Sequence, residues 1–212
     1  MDLHYSEDEQ VEKLKSWWKK NGSSILTGGA IGIAIIVGYN YWQTSTRVNA
    51  ETASALYEQM FIQHDQNNSQ EVENMGGKLM KDFSSTPYAA KAALMLARVS
   101  IENSDAETAS SRLQWVLDNA KVDADLHAAR LRLAAIHLSR SQYDLALTVL
   151  DIAESGEFKT HYRELQGDIY YQQGDLKKAG PAYQEALDSL PEASDYQQVL
   201  RLKIDNTNPG KP

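Results

Sequence analysis

YRELQGDIYYQQGDLKKAGPAYQEALDSLP, from Tyr162 to Pro191, reads as two helices packed against each other. Small residues at Gly167, Ala179 and Ala186 let the helices approach closely, and the rings of Tyr170 and Tyr183 fill the space beside them. Gly174-Asp175 supplies the turn. Pro191 stops the second helix, because it lacks an N–H and its ring collides with the preceding turn. One such hairpin cannot bury its apolar face alone, so neighbours of the same kind are expected.

The offsets of Gly167, Tyr170, Ala179, Tyr183, Ala186 and Pro191 resemble the small, aromatic, Ala, aromatic, Ala and Pro positions of a tetratricopeptide repeat. Arg163 and Gln166 depart from that pattern, which has apolar residues there. Thirty-three residues upstream the frame returns as Leu133, Ala134, Ala146, Leu150 and Ala153 around a Ser141-Gln142 turn. His137 takes the aromatic position of this copy and Phe158 the proline position. Earlier still, Leu96, Ala97, Ala109 and Leu113 surround a Ser104-Asp105 turn. A first hairpin, residues 50–64 and 70–83, has the length without the signature, and Gly76-Gly77 is expected to interrupt its second helix.

After Pro191, Ser194-x-x-Gln197 has the form of a capping box. The helix it opens carries Tyr196, Val199, Leu200 and Ile204 along one side, as a terminal cap requires. The fold expected is all-α: four hairpins in a right-handed superhelix, then a capping helix. Residues 206–212 are expected to be a disordered tail.

A second feature stands before the repeats. Twenty-six residues without a charge separate Lys20 from Arg47, and Ile25 to Trp42 reads ILTGGAIGIAIIVGYNYW. As a helix this run spans about 27 Å, close to a hydrocarbon core of about 30 Å. Trp17 and Trp18 on one side, and Tyr39, Tyr41 and Trp42 on the other, suit the two headgroup levels. Lys13, Lys15, Lys19 and Lys20 precede the span and only Arg47 follows closely, which predicts a cytoplasmic N-terminus. A cleaved signal peptide would have a short basic n-region and a nearby small-x-small site. Here the n-region is long and opens acidic, and Ala53-Ser54-Ala55 lies well past the apolar run. Gly28 and Gly32 share one helix face and are candidate contacts for another membrane helix.

Composition narrows the function. The net charge is −8; five acids and four lysines stand before Ser23, leaving −7 for the rest. An acidic domain without a basic stripe argues against nucleic acid as a partner. The absence of cysteine removes disulfides, thiolate metal sites and cysteine nucleophiles together. Gly-x-Ser-x-Gly, His-Glu-x-x-His, Walker and dinucleotide loops are all missing. The five histidines (His4, His64, His127, His137 and His161) lack metal-ligand spacing. No enzyme, cofactor or metal is expected.

The tetratricopeptide resemblance implies that the first helix of each hairpin lines a concave groove. Carried over residue by residue, the groove positions are Leu94, Arg98 and Ile101, then Leu131, Ala135 and Leu138, then Glu164, Asp168 and Tyr171. An apolar strip with Arg98 at one end and Glu164/Asp168 at the other suits a peptide segment. Leu131 and Leu138 read equally well as interhelix core.

Glu9-Gln10-Val11-Glu12, Leu14, Trp17-Trp18, Asn21-Gly22, the Gly-rich span ending Gly38-Tyr39-x-Tyr41-Trp42, and Leu202-Lys203-Ile204-Asp205-Asn206 extend the likeness to the whole chain. In this order the chain resembles the ancillary SecYEG translocon subunit, or YfgM, family of Gram-negative bacteria. That resemblance implies a single-pass inner-membrane protein in four parts: a cytoplasmic segment 1–22, a transmembrane helix 23–44, a periplasmic repeat domain 45–205 and a tail 206–212. It also implies partners: the SecYEG translocon, a membrane-anchored periplasmic chaperone of the prolyl-isomerase type, and client polypeptides leaving the channel. Spacing and composition alone reach a membrane-tethered helical-repeat binding module. A scaffold for another envelope assembly, in division or outer-membrane biogenesis, is the alternative.

Overall fold

Among the described residues, four hairpin turns each pass through a single residue in the left-handed region: Asn67 (φ 58°), Ser104 (φ 61°), Ser141 (φ 58°) and Gly174 (φ 82°). Each reversal closes with the same two backbone bonds. The left-handed residue donates to the carbonyl three back, and the next residue donates to the carbonyl five back: Asn68 to Gln63 at 2.9 Å, Asp105 to Ser100 at 2.8 Å, Gln142 to His137 at 2.9 Å and Asp175 to Tyr170 at 2.9 Å. This is the Schellman ending of a helix, which satisfies carbonyls left free by the last turn. In two hairpins the following aspartate also starts the next helix. The Asp105 carboxylate accepts from Thr108 N at 3.0 Å, and that of Asp175 accepts from Lys178 N at 3.2 Å.

The computed structural model describes residues 7–152 and 155–208. Its helices are α1 (Glu7–Asp65), α2 (Ser69–Asp82), α3 (Pro87–Glu102), α4 (Ala106–Asn119), α5 (Asp123–Ser139), α6 (Tyr143–Leu150), α7 (Lys159–Gln172), α8 (Leu176–Asp188) and α9 (Gln197–Asn206), with a 3-10 turn at Gly156–Phe158. The chain divides into two units, Met1–Glu51 and Thr52–Pro212. The first unit holds the apolar part of α1, whose large side chains stay exposed: Ile33 and Ile35 are each 66% accessible. By length and composition this is a helix that can cross a membrane.

In the second unit the core runs from hairpin to hairpin. Met60, Val72, Leu79 and Leu96 pack the first pair against the second. Ala97, Leu113, Val116, Ala129 and Leu133 join the second to the third, and Ala134, Ala146, Leu150, Tyr162 and Ile169 join the third to the fourth. Each hairpin therefore completes its neighbour's core. The small positions are geometrically required. A Cβ on Gly167 would lie inside contact distance of the Tyr183 ring, and Ala179 and Ala186 are fully buried.

Several expectations need correction. Gly76-Gly77 does not interrupt α2, which runs unbroken from Ser69 to Asp82. Gly76 is the small residue of the first hairpin: a Cβ there would stand 2.7 Å from Leu96 Cδ1 and 2.9 Å from Met60 Cε. The cost of glycine in a helix is outweighed by the close crossing it permits.

The second helix of the third hairpin is also shorter than the frame implied. It ends at Leu150, and Ala153 lies outside the described residues. Phe158 sits in the 3-10 turn, where its ring stacks on His127 with centroids 4.5 Å apart. His137, at the aromatic position, has its Nδ1 2.8 Å from Gln142 Oε1 across the turn.

The capping box does not form. Ser194 Oγ accepts from Tyr196 N–H, while the Gln197 amide reaches back to the Pro191 and Glu192 carbonyls. Tyr196 is the residue before α9, so that helix starts later than the motif implied. Along α9 Leu200 is fully buried, but Tyr196 and Val199 are exposed. Order extends past the expected start of the tail. Asn206 is helical and Thr207 is buried, because Thr207 packs where a Cβ on Gly180 would sit, 2.8 Å from its Oγ1. Residues 209–212 lie outside the described residues.

Candidate binding groove

The first helices of the hairpins bring α1, α3 and α5 side by side within the repeat unit. Between them lies a hollow of about 480 Å³ lined by Tyr57, Phe61 and His64 of α1, Lys91 and Arg98 of α3, and Arg132 of α5, among others. A second hollow, about 400 Å³, continues it between α3 and α5 over Ile101, Leu113, Ala135 and Ile136. Arg98 and Arg132 line both, so the two form one groove with an apolar floor and charged edges, Lys91, Arg98 and Arg132 against Asp65 and Asp125. Phe61 and Ile101 present about half of their surface to solvent there. Removing such side chains from water gains roughly 25 cal/mol per Å², before the costs of association.

Four of the predicted groove residues lie on this surface: Leu94, Arg98, Ile101 and Ala135. The Arg98 guanidinium donates to Glu102 Oε1 at 2.8 Å, and that bond holds the Glu102 carboxyl below its ordinary value. Leu131 and Leu138 are half-buried and pack on the core shared with α6 and α7. Tyr171 is exposed but lines neither hollow.

Glu164 and Asp168 are already engaged. Lys203 Nζ, from α9, lies 2.7 Å from Glu164 Oε1 and 2.7 Å from Asp168 Oδ1. The Tyr196 hydroxyl donates to Glu164 and that of Tyr183 to Asp168, each at 2.8 Å. Burial and the Asp168 carboxylate push the Tyr183 hydroxyl well above its ordinary value. Burial alone would lower Lys203, but the hydrogen bonds to Asp168 and Glu164 outweigh it and hold the ammonium above its ordinary value.

Tyr57, Phe61, Asp125 and Arg132 were not read from the sequence as groove residues. The first hairpin lacks the repeat signature, so its inner face had no frame to be counted on. Arg132 stands between Leu131 and Leu133, where the frame pointed to apolar positions. Gly28 and Gly32 lie on an open surface of α1, where an added Cβ meets nothing within 4 Å. Among the described residues no group of His, Asp or Glu is arranged to hold a metal ion.

A family profile described as a tetratricopeptide repeat-like domain matches residues 15–208. The chain belongs to that family. It is 28% identical over 206 residues to an ancillary SecYEG translocon subunit of Haemophilus influenzae, covering 97% of this chain and 100% of that one. The corresponding subunit of Neisseria gonorrhoeae is 28% identical over 97% of this chain and 99% of its own. That of Escherichia coli is 27% identical over 97% and 98%. These matches run over nearly the whole of this chain, its apolar helix and its repeats together.

Proposed function

We propose that this chain is a non-enzymatic accessory protein of the Sec translocon, held in the inner membrane by α1 with its N-terminus cytoplasmic and its repeats periplasmic. The repeat unit binds a periplasmic chaperone of the prolyl-isomerase type, emerging client segments, or both. The observation that carries this reading is the open groove of α1, α3 and α5, with exposed Phe61 and Ile101, on a chain that has a helix long and apolar enough to cross a membrane. Full-length likeness to translocon subunits supports the choice of membrane partner. Gly28 and Gly32 give the span a smooth face for a neighbouring helix, where close approach gains van der Waals contact.

The test is purification in mild detergent after crosslinking in whole cells, from positions 101 and 32. Translocon subunits are expected with the span probe, and a chaperone or nascent exported chains with the groove probe. Recovery of a division or outer-membrane assembly complex instead would overturn the assignment.

A further inference from the structure

Asp125 opens the first turn of α5 and is 93% buried, and its Oδ2 atom has no hydrogen-bond partner. A buried carboxylate oxygen without a donor is costly enough to need a reason. Asp125 forms the wall between two spaces: the α1/α3/α5 groove, and a cavity of about 180 Å³ behind it bounded by Pro87, Trp115 and Val122. Thr86, at the mouth of that cavity, does not serve the carboxylate; its hydroxyl donates to Phe83 O at 2.8 Å. No lysine or arginine among the described residues forms an ion pair with Asp125. On the groove side its charge is felt by Tyr57, whose hydroxyl is held above its ordinary value by burial and by Asp125.

We propose that Asp125 accepts a single lysine or arginine side chain from an extended polypeptide segment lying in the groove. The inference rests on the groove being the peptide site. The complementarity is specific: Asp125 lines the same hollow as Tyr57 and Phe61. Because its Oδ2 is closed to solvent, a basic side chain reaches it by shifting the wall of the hollow, the two rings then covering its aliphatic stem. Lys91, Arg98 and Arg132 also line the hollow and outnumber its one other acid, Asp65, so they repel further cations. The site therefore selects one basic residue among apolar ones rather than a polybasic run. Net charge alone, at −8, would favour the polybasic segment.

The experiment uses the full chain in detergent micelles and four labelled nonapeptides of alanine and leucine. Their central residues are lysine, norleucine, glutamate or three successive lysines, and binding is read by fluorescence anisotropy. The single-lysine peptide is expected to bind about tenfold or more tighter than the norleucine peptide, the size of a charge-assisted hydrogen bond. It should also exceed the other two. Asp125→Asn should bind lysine and norleucine peptides alike. Equal affinity of the wild-type protein for lysine and norleucine would mean that water serves Oδ2, and would overturn the inference without any variant being needed. Retention of the preference by Asp125→Asn, or tighter binding of the trilysine peptide, would overturn it too. The Arg98→Glu/Ile101→Asp variant separates the two levels. If it abolishes all peptide binding while lysine and norleucine bind equally to the wild type, the groove stands and only Asp125's role falls. If no peptide binds the wild type, or the double variant changes nothing, the groove reading falls and this inference with it.

Discussion

Lys203 of the capping helix places its ammonium 2.7 Å from Asp168 Oδ1 and 2.9 Å from Oδ2, so a carboxylate expected to meet a ligand is paired within the chain. Lys203 also bonds Glu164 and lies 5.5 Å over the Tyr183 ring. The capping helix thus fastens to the last hairpin through one cation and two acids. With only about a quarter of the Lys203 side chain accessible, solvent screens this cluster less than a surface pair. Lys203→Met should cost about 1–2 kcal/mol, seen in thermal melts of the full chain in detergent. An unchanged melting temperature would show that the cluster contributes nothing to docking of the cap.

The same cluster sets a pH dependence. Both Lys203 and Tyr183 have folded-state values raised above their ordinary 10.5 and 10.0. Groups raised on folding hold their protons more tightly in the native state, so their stabilisation is complete below the ordinary value. It is lost as pH rises beyond that value toward the folded one. Stability should therefore fall as pH rises above about 10. In Lys203→Met combined with Tyr183→Phe that alkaline fall should be shallower, measured by circular dichroism melts across the window. An equally steep fall in the double variant would place its origin elsewhere.

Gly76 and Gly167 occupy equivalent roles although only Gly167 stood in a recognisable frame. Gly76→Ala must displace Leu96 or Met60, and Gly167→Ala must displace the Tyr183 ring. Overpacking of this kind typically costs about 1–3 kcal/mol. Gly77→Ala is the control, because a Cβ there meets nothing within 4 Å and alanine favours a helix. Melting temperatures should fall for the first two variants and hold or rise for the third.

Legibility in the sequence tracked how strongly side-chain identity was constrained. Gly167, Ala179 and Tyr183 form a crossing that tolerates few residues, so the last hairpin could be read directly. The turns were harder. Asn67, Ser104, Ser141 and Gly174 share one backbone geometry with three residue types, because the Schellman bonds are made by main-chain atoms. Three of the four turn positions were placed from spacing. The first hairpin escaped because its small residue, Gly76, adjoins another glycine and read as a breaker. Lys203 and Asp125 were invisible for another reason: pairing across 35 residues, or the lack of a partner, is a tertiary property that no local pattern carries.

Ser104 and Ser141 hold φ near +60°, where a Cβ crowds the following carbonyl at a cost of about 1–2 kcal/mol. Ser104→Gly and Ser141→Gly remove that strain, partly offset by the freedom glycine adds to the unfolded chain. A net gain of about 0.5 kcal/mol each is expected, measured by denaturant titration, with both gains adding in the double variant. Loss of stability would show that these serines make side-chain contacts worth more than the strain.

The span and the groove should fail independently when altered. Gly28→Leu with Gly32→Leu roughens a helix face on which an added Cβ meets nothing within the chain, so folding of the repeat unit should be unaffected. Co-purification with the membrane partner should fall, because the close helix approach is lost. Arg98→Glu with Ile101→Asp changes exposed side chains of the groove, so it should leave the span's association intact while weakening the periplasmic partner or client. Two weak attachments to one assembly multiply through effective concentration, so either loss should lower recovery by more than a rim contact would. Quantitative co-purification of all four combinations gives the coupling. Full recovery with the glycine pair replaced would make the span a simple anchor. Normal periplasmic binding with the groove altered would move the contact to the outer helices α2, α4, α6 and α8.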